Sequence, residues 1–441
     1  MTIHSDWGKL LYNECPQAFH EKLNHSICKN MNAGIIDGHL QLMCLDEKFG
    51  TWERFIQIMF LSPIRDLLRH CKTVVLCFDF YDKVPVYKRI TQTKRANSKP
   101  SCKFESHESL PDRIPPDAIN FLMNRTFKLK IIDMLCTRIP FLVHLESDQE
   151  FIIDYKRVIK YDASSKGIPK VIPSLVPMGE SDVKFTRYVQ IFGNCLVHAI
   201  DGDYIVIALL YYKSYGIKDN NKIYIYRQNS FQSKKRALNE DDQFKQSDAA
   251  KPKAKKVWVD IQLIYLTLER CIEQSIRTDQ RFFPDQRKDH YMSVVVFMML
   301  CAGTDFSRAL PLLGPCRLWE CLPYVSQYGI FAFENEDQII DVLKNLVVNI
   351  VYKTLFAKHI KGKCSTWTET KRSIDASNGL SSTTKQRIPE EIRIDTTLRN
   401  ILWVMRYWSS VNANIDTPLD GSNGFISGSH CGSVAYNDCE S

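Results

Sequence analysis

The 441-residue chain has no Cys-x-x-Cys pair, although it carries fifteen cysteines. An odd set of scattered thiols excludes a fully paired disulfide framework. Cys316 and Cys321 lack the His/Cys partners that would complete a zinc site, so structural zinc is not expected. Long hydrophobic runs are also missing. The longest, such as VVVFMMLCAG at 294–303, are about ten residues and too short to span a bilayer. The opening MTIHSDWGKL has no basic region followed by an apolar one, which excludes a secretory signal. The sequons at Asn24 and Asn124 therefore carry no weight. No segment repeats. These absences describe a chain expected to be soluble, intracellular, reduced and without a membrane partner.

What is present is a core-forming composition, 44% hydrophobic and 11% aromatic, with a formal net charge of +8 that suits a polyanionic partner. Short apolar runs alternate with longer amphipathic stretches, the pattern of an α/β fold with a mainly parallel central sheet flanked by helices. Three segments interrupt it. Residues 97–117 hold four prolines and read as a loop. Residues 228–256 are polar and charged and read as a disordered insertion. Residues 361–388 are Ser/Thr/Lys-rich and read as a linker. Beyond them Asp395 or Thr396 caps an expected helix. Its Leu398, Ile401, Leu402, Met405 and Trp408 share one face. The tail from about 413 is rich in Gly, Ser and Asn and reads as loose. The divisions expected are 1–170, 171–340 and 341–441.

The apolar runs end in a distinctive way. GIIDG ends at Asp37, TVVLCFD at Asp79, CLVHAIDGD at Asp201 and Asp203, and VVVFMMLCAGTD at Asp305. SLVPMGESD adds Glu180 and Asp182 between the second and third. If four parallel strands each finish on an acid, the side chains meet at the carboxyl edge of the sheet, where ligands of open α/β sheets bind. One such Asp is ordinarily a turn or helix cap. Seven in one cleft repel, and are tolerable only with cations among them. Oxygen ligands suit Mg²⁺ or Mn²⁺, and two such ions can clamp both oxygens of a phosphodiester under hydrolysis.

Directly after Asp79, the segment from Lys83 to Lys103 has seven basic residues and no acid. Pro85 can start a helix, and Lys88 and Arg95 then lie two turns apart on one face, with Lys94 beside Arg95. Such a face next to a metal-binding Asp suits a scissile phosphate; taken alone it is an ordinary solvated helix. After Asp305, Gly314 and Pro315 fit the turn of a helix–turn–helix whose backbone can meet a phosphate.

In this order and spacing the residues resemble the flap-endonuclease family, the XPG-type structure-specific 5′ nucleases, over residues 30–330. The resemblance implies a PIN-like 5′-nuclease core with a helical arch and its connection over about 96–170. It implies one metal ion on Asp37, Asp79, Glu180 and Asp182, and a second on Asp201, Asp203 and Asp305. By the same resemblance Lys88 and Arg95 act on the scissile phosphate, and Gly314 and Pro315 belong to a duplex-DNA-binding helix–turn–helix. The chain begins with Met-Thr where the family begins Met-Gly, keeps half of the Gly-rich hairpin, and lacks a clamp-binding box. It resembles a divergent, viral member. The implied activity is Mg²⁺-dependent cutting of 5′-flap or other branched DNA in replication, repair or recombination. Two alternatives stand beside it: an Xrn-type 5′→3′ exoribonuclease, suggested by VPMGESD and GTDF, and a non-catalytic nucleic-acid-binding scaffold. Lys234, Lys235 and Arg236, followed after a gap by Lys251, Lys253, Lys255 and Lys256, match a bipartite nuclear localisation signal; a solvated loop in a cytoplasmic protein is the other reading.

Overall fold

The computed structural model describes residues 10–80, 108–116, 118–165, 168–199, 201–218, 220–229, 255–277, 291–303, 310–325, 336–362, 364, 366–409, 426–427 and 434–435. Nine strands form one sheet in the order β1-β9-β8-β7-β2-β3-β4-β5-β6. They are β1 (Phe19–His20), β2 (Ala33–Asp37), β3 (Thr73–Cys77), β4 (Glu150–Asp154), β5 (Val158–Asp162), β6 (Lys170–Val171), β7 (Cys195–His198), β8 (Ile223–Asn229) and β9 (Lys255–Asp260). The middle five, β8-β7-β2-β3-β4, are parallel; the outer pairs are antiparallel. The fold is thus α/β with a mainly parallel centre, as the alternation of runs predicts. AGIID and TVVLC are buried at every position, as strands covered on both faces must be.

Helices α1 (Gly38–Leu42), α2 (Ser62–Leu68) and α3 (Arg125–Leu142) belong to the layer on one face, with Ile36, Leu76 and Ile153 among its core residues. The other face carries α4 (Ser181–Phe192), α5 (Asp203–Tyr215), α6 (Ile261–Arg277), α7 (Tyr291–Cys301), α8 (Pro315–Val325) and α9 (Glu336–Asn345). Then come α10 (Trp367–Asp375), α11 (Ser382–Gln386) and α12 (Glu391–Ser409). Leu398, Ile401 and Trp408 of α12 join Ile35, Val75 and Val197 of the sheet in one hydrophobic cluster. No helix of the described residues is long and apolar enough to cross a membrane.

Several expectations are corrected. The apolar run before Asp305 is not a strand but the helix α7, buried from Val295 to Ala302. A short run that is apolar at every position has no period, so it cannot be told from a helix buried on all sides. In the connection expected after the arch, β4 extends the parallel sheet beside β3, and β5 and β6 continue it. The proposed insertion is ordered at both ends, where Gln228 and Asn229 pair with Lys256 and Lys255 across β8 and β9. The segment 361–388 is no linker, since it holds α10 and α11. Thr366 and Glu369 form a capping box at the start of α10, whose Trp367 and Ile374 are buried. α12 begins at Glu391, ahead of Asp395, which instead accepts a hydrogen bond from Lys344 at 3.2 Å. Its inward face is the expected one, with Leu398, Ile401, Leu402 and Trp408 buried.

Candidate acid site at the carboxyl edge

Asp37 is the last residue of β2 and also the N-cap of α1, where its Oδ1 accepts the Leu40 N–H at 3.0 Å. The next residue is glycine because α1 turns away hard against β3. A Cβ on Gly38 would lie 2.7 Å from the Phe78 ring and 2.9 Å from the Cys77 carbonyl oxygen. β3 ends at Cys77, so Asp79 lies just beyond the strand, 4% exposed. Phe80 N–H donates to the Gly179 carbonyl, tying this edge to the loop that carries Glu180-Ser181-Asp182.

That tripeptide opens α4. Glu180 is the N-cap residue and fully buried; Asp182 stands in the first turn, where the helix dipole favours a negative charge. Ser181 lies between the acids of the two strands. Its backbone N–H donates to Asp79 Oδ1 at 2.9 Å, and its hydroxyl is 3.0 Å from Asp79 Oδ1 and 3.1 Å from Asp37 Oδ1. Burial, then the charge of Asp79, and to a smaller extent that of Asp182, push the Asp37 carboxyl up to about 7, while the Leu40 N–H opposes the rise. His39 Nδ1 is 3.8 Å from Asp79 Oδ2. Lys128 of α3 acts on Asp79 from the other layer; burial lowers its pKa and the Asp79 charge partly restores it.

The structure therefore brings Asp37, Asp79, Ser181 and Asp182 together, with Glu180 adjacent. Asp201 lies past the end of β7, exposed, and its Oδ1 accepts the Asp203 N–H at 3.3 Å, the turn role that a lone strand-end Asp most often plays. Its charge also acts on the buried Arg227 of β8. The strand itself stops at His198, before the end of the apolar run. Asp203 is 3% exposed and starts α5, and the next residue, Tyr204, reaches the electrostatic field of Asp37 and Asp182. Pro315 is the first residue of α8, with Gly314 immediately before it, as the GP turn predicts. Lys88, Lys94, Arg95, Asp305, Lys234, Lys235, Arg236, Lys251 and Lys253 lie outside the described residues. Lys255 and Lys256 open β9.

Sequence reasoning passed over a second acid. EFIID ends at Asp154 in the same manner as GIIDG at Asp37, and Asp154 is fully buried at the end of β4. Around it the chain places cations. Lys184 Nζ lies 2.9 Å from Asp154 Oδ1, and donates to the Asp154 carbonyl at 3.1 Å and the Phe78 carbonyl at 2.7 Å. Arg187 pairs with Asp154 Oδ2, to which Tyr188 also donates at 2.8 Å, and Arg187 Nη1 donates to the Val176 carbonyl. This network fixes α4 to the ends of β3 and β4 and so sets where Glu180, Ser181 and Asp182 stand.

The carboxylates at the site offer oxygens, with the His39 ring nitrogen beside Asp79, and buried carboxylates of like charge suit a hard cation such as Mg²⁺. In this arrangement no three His, Cys, Asp or Glu side chains among the described residues form a ready-made cation cage. The cysteines among the described residues are free thiols.

No family model matches the chain, and no curated protein matches it. Among solved structures it is similar to the catalytic core of Rad2 in complex with a DNA substrate. The identity is 12% and the TM-score 0.35, over 86% of this chain and 97% of that one. The chemistry assigned to the site therefore rests on its own residues.

Proposed function

We propose that the chain is a Mg²⁺-dependent structure-specific 5′ nuclease that hydrolyses phosphodiester bonds in branched DNA. The observation that carries this reading is that Ser181 ties Asp37 to Asp79 at one sheet edge while the charge of the neighbouring Asp182 acts on Asp37. Asp37, Asp79, Glu180 and Asp182 would hold one ion, and Asp201, Asp203 and Asp305 the other, with Mn²⁺ able to replace Mg²⁺. Bound there, the ions would supply activation of water and neutralisation of charge at the phosphate.

The remaining work falls to the chain. Ser181 holds two of the carboxylates in register. Asp37 must give up its proton before it can ligate, so loading is favoured as pH rises. Lys88 and Arg95, with Lys94 beside them, would hold the scissile phosphate, and Lys128 adds positive charge beside Asp79. Gly314 and Pro315 at the start of α8 would meet the duplex backbone. The basic clusters at 234–236 and 251–256 would direct the protein to the nucleus, which deletion of 234–254 in a fluorescent fusion tests without touching β9; unchanged accumulation would sink that assignment.

The test is cleavage of a 5′-flap duplex in Mg²⁺ by wild type, Asp79→Asn and Asp203→Ala. Loss of cutting in both variants supports the assignment, and equal activity in all three removes it. A 5′-monophosphate RNA run alongside separates an exoribonuclease, and binding of flaps without cutting identifies a scaffold.

A further inference from the structure

Asp79 has different neighbours at its two oxygens. Ser181 donates to Oδ1 from its backbone N–H at 2.9 Å and stands 3.0 Å from it with its hydroxyl. Oδ2 lies 3.8 Å from Nδ1 of His39 in α1. His39 stands there for a local reason. Asp37 caps α1, and Gly38 lets the first turn lie hard against the end of β3, so the second residue of the helix meets the acid that follows the strand. The His39 side chain is 17% exposed, yet Nδ1 itself is buried. Water reaches the ring elsewhere, and this nitrogen is turned to the acid.

A separation of 3.8 Å is longer than a hydrogen bond. It is one that two ligands of a single ion can adopt, because metal–nitrogen and metal–oxygen bonds are each about 2.1 Å long. The function above assigns carboxylates alone to this ion. An imidazole among them changes which ion is preferred. Mg²⁺ favours oxygen and gives up its water reluctantly, whereas a ring nitrogen strengthens the binding of transition ions. Among those, Mn²⁺ also suits carboxylates.

We infer that His39 is a ligand, through Nδ1, of the divalent ion at the Asp37–Asp79 edge, and that the site therefore selects Mn²⁺ over Mg²⁺. The inference rests on the proposed function, because it requires an ion there. It uses the tautomer that carries its proton on Nε2 and leaves the Nδ1 lone pair to the metal. An imidazole that only orients Asp79 would leave the ion an all-oxygen shell.

The experiment adds Mn²⁺ to the full chain without nucleic acid and reads electron spin echo envelope modulation. A directly bound imidazole nitrogen is expected to modulate the wild-type echo, and the modulation is expected to vanish in His39→Ala. Calorimetric titration of wild type should show Mn²⁺ bound more tightly than Mg²⁺. In His39→Ala the Mn²⁺ affinity should fall about tenfold or more, since even groups that only support a ligand are worth that much. Mn²⁺ that binds wild type without nitrogen modulation, modulation that survives in His39→Ala, or equal affinity of wild type for the two ions overturns the inference. The proposed function then still stands if flap cutting is lost in Asp79→Asn. Wild type that binds neither ion removes both. The wild-type echo decides by itself, so a variant that fails to fold does not protect the inference.

Discussion

Asp37 and Asp154 occupy equivalent places and live in opposite surroundings. They are the last residues of β2 and β4, the two neighbours of β3, and both stand opposite Cys77 in the parallel ladders. The three residues form one row across the sheet, so the two carboxylates leave it on the same face. A single helix, α4, serves both. Its first turn gives Asp37 a serine hydroxyl and another acid; its next residues give Asp154 a lysine, an arginine and a tyrosine. Asp154 is neutralised within the protein and serves as an anchor. Asp37 is left among acids and neutral donors, and burial pushes its carboxyl up to about 7. A strand-end acid is thus not a site by its position; what decides is whether the fold supplies the opposite charge.

The comparison is broken most directly at Lys184. Lys184→Met leaves Asp154 as an under-compensated buried charge and should destabilise the protein by about 3–5 kcal/mol in urea unfolding, since removing one partner of a buried pair costs far more than the pair contributes. Replacing Lys184 and Asp154 together by apolar residues should recover part of that loss.

A pH titration sharpens the other half. The Asp37 carboxyl is raised in the folded state, so the folded chain holds a proton that the unfolded chain has released between about pH 4 and 7. Stability of the metal-free protein should therefore fall as pH rises through that window and level off above it. The contribution of this group is on the order of 4 kcal/mol. In Asp37→Asn that slope should disappear, and denaturation followed in EDTA at pH 5 and pH 8 measures it.

Asp79→Asn keeps the Ser181 contacts in shape and removes a charge. Nuclease activity on a flap duplex in Mg²⁺ should drop by about a hundredfold or more, as even loss of a group supporting a ligand costs up to that much. The smallest effect is expected from Ser181→Ala, which removes a hydroxyl shared by two carboxylates. A loss of about 1–3 kcal/mol in metal-free stability is expected, measurable by urea unfolding in EDTA.

The parallel centre of the fold was readable because strands buried on both faces are apolar along most of their length, as AGII, VVLC and CLV are. Asp37 and Asp79 were readable as acids at which apolar runs stop, whereas that Glu180 and Asp182 open a helix was not read from SLVPMGESD. The run at 294–303 was misread because uniform apolarity has no period, and the helices at 367–386 were hidden by polar composition around a few buried anchors such as Trp367. Asp154 carried the same signal as Asp37 and was available to the same reasoning. Ser181 and Tyr204 carried none, since one is a small residue inside an acidic motif and the other one tyrosine in the apolar run of α5.

By itself, then, the sequence determined the alternation of buried strands and helices and the placing of acids where strands run out, because burial and chain reversal are local demands written in residue type. Only the tertiary structure decided which of those acids meet a cation and which meet each other. That choice depends on which turn of α4 packs against which strand, and distances across a sheet edge are not encoded in spacing along the chain.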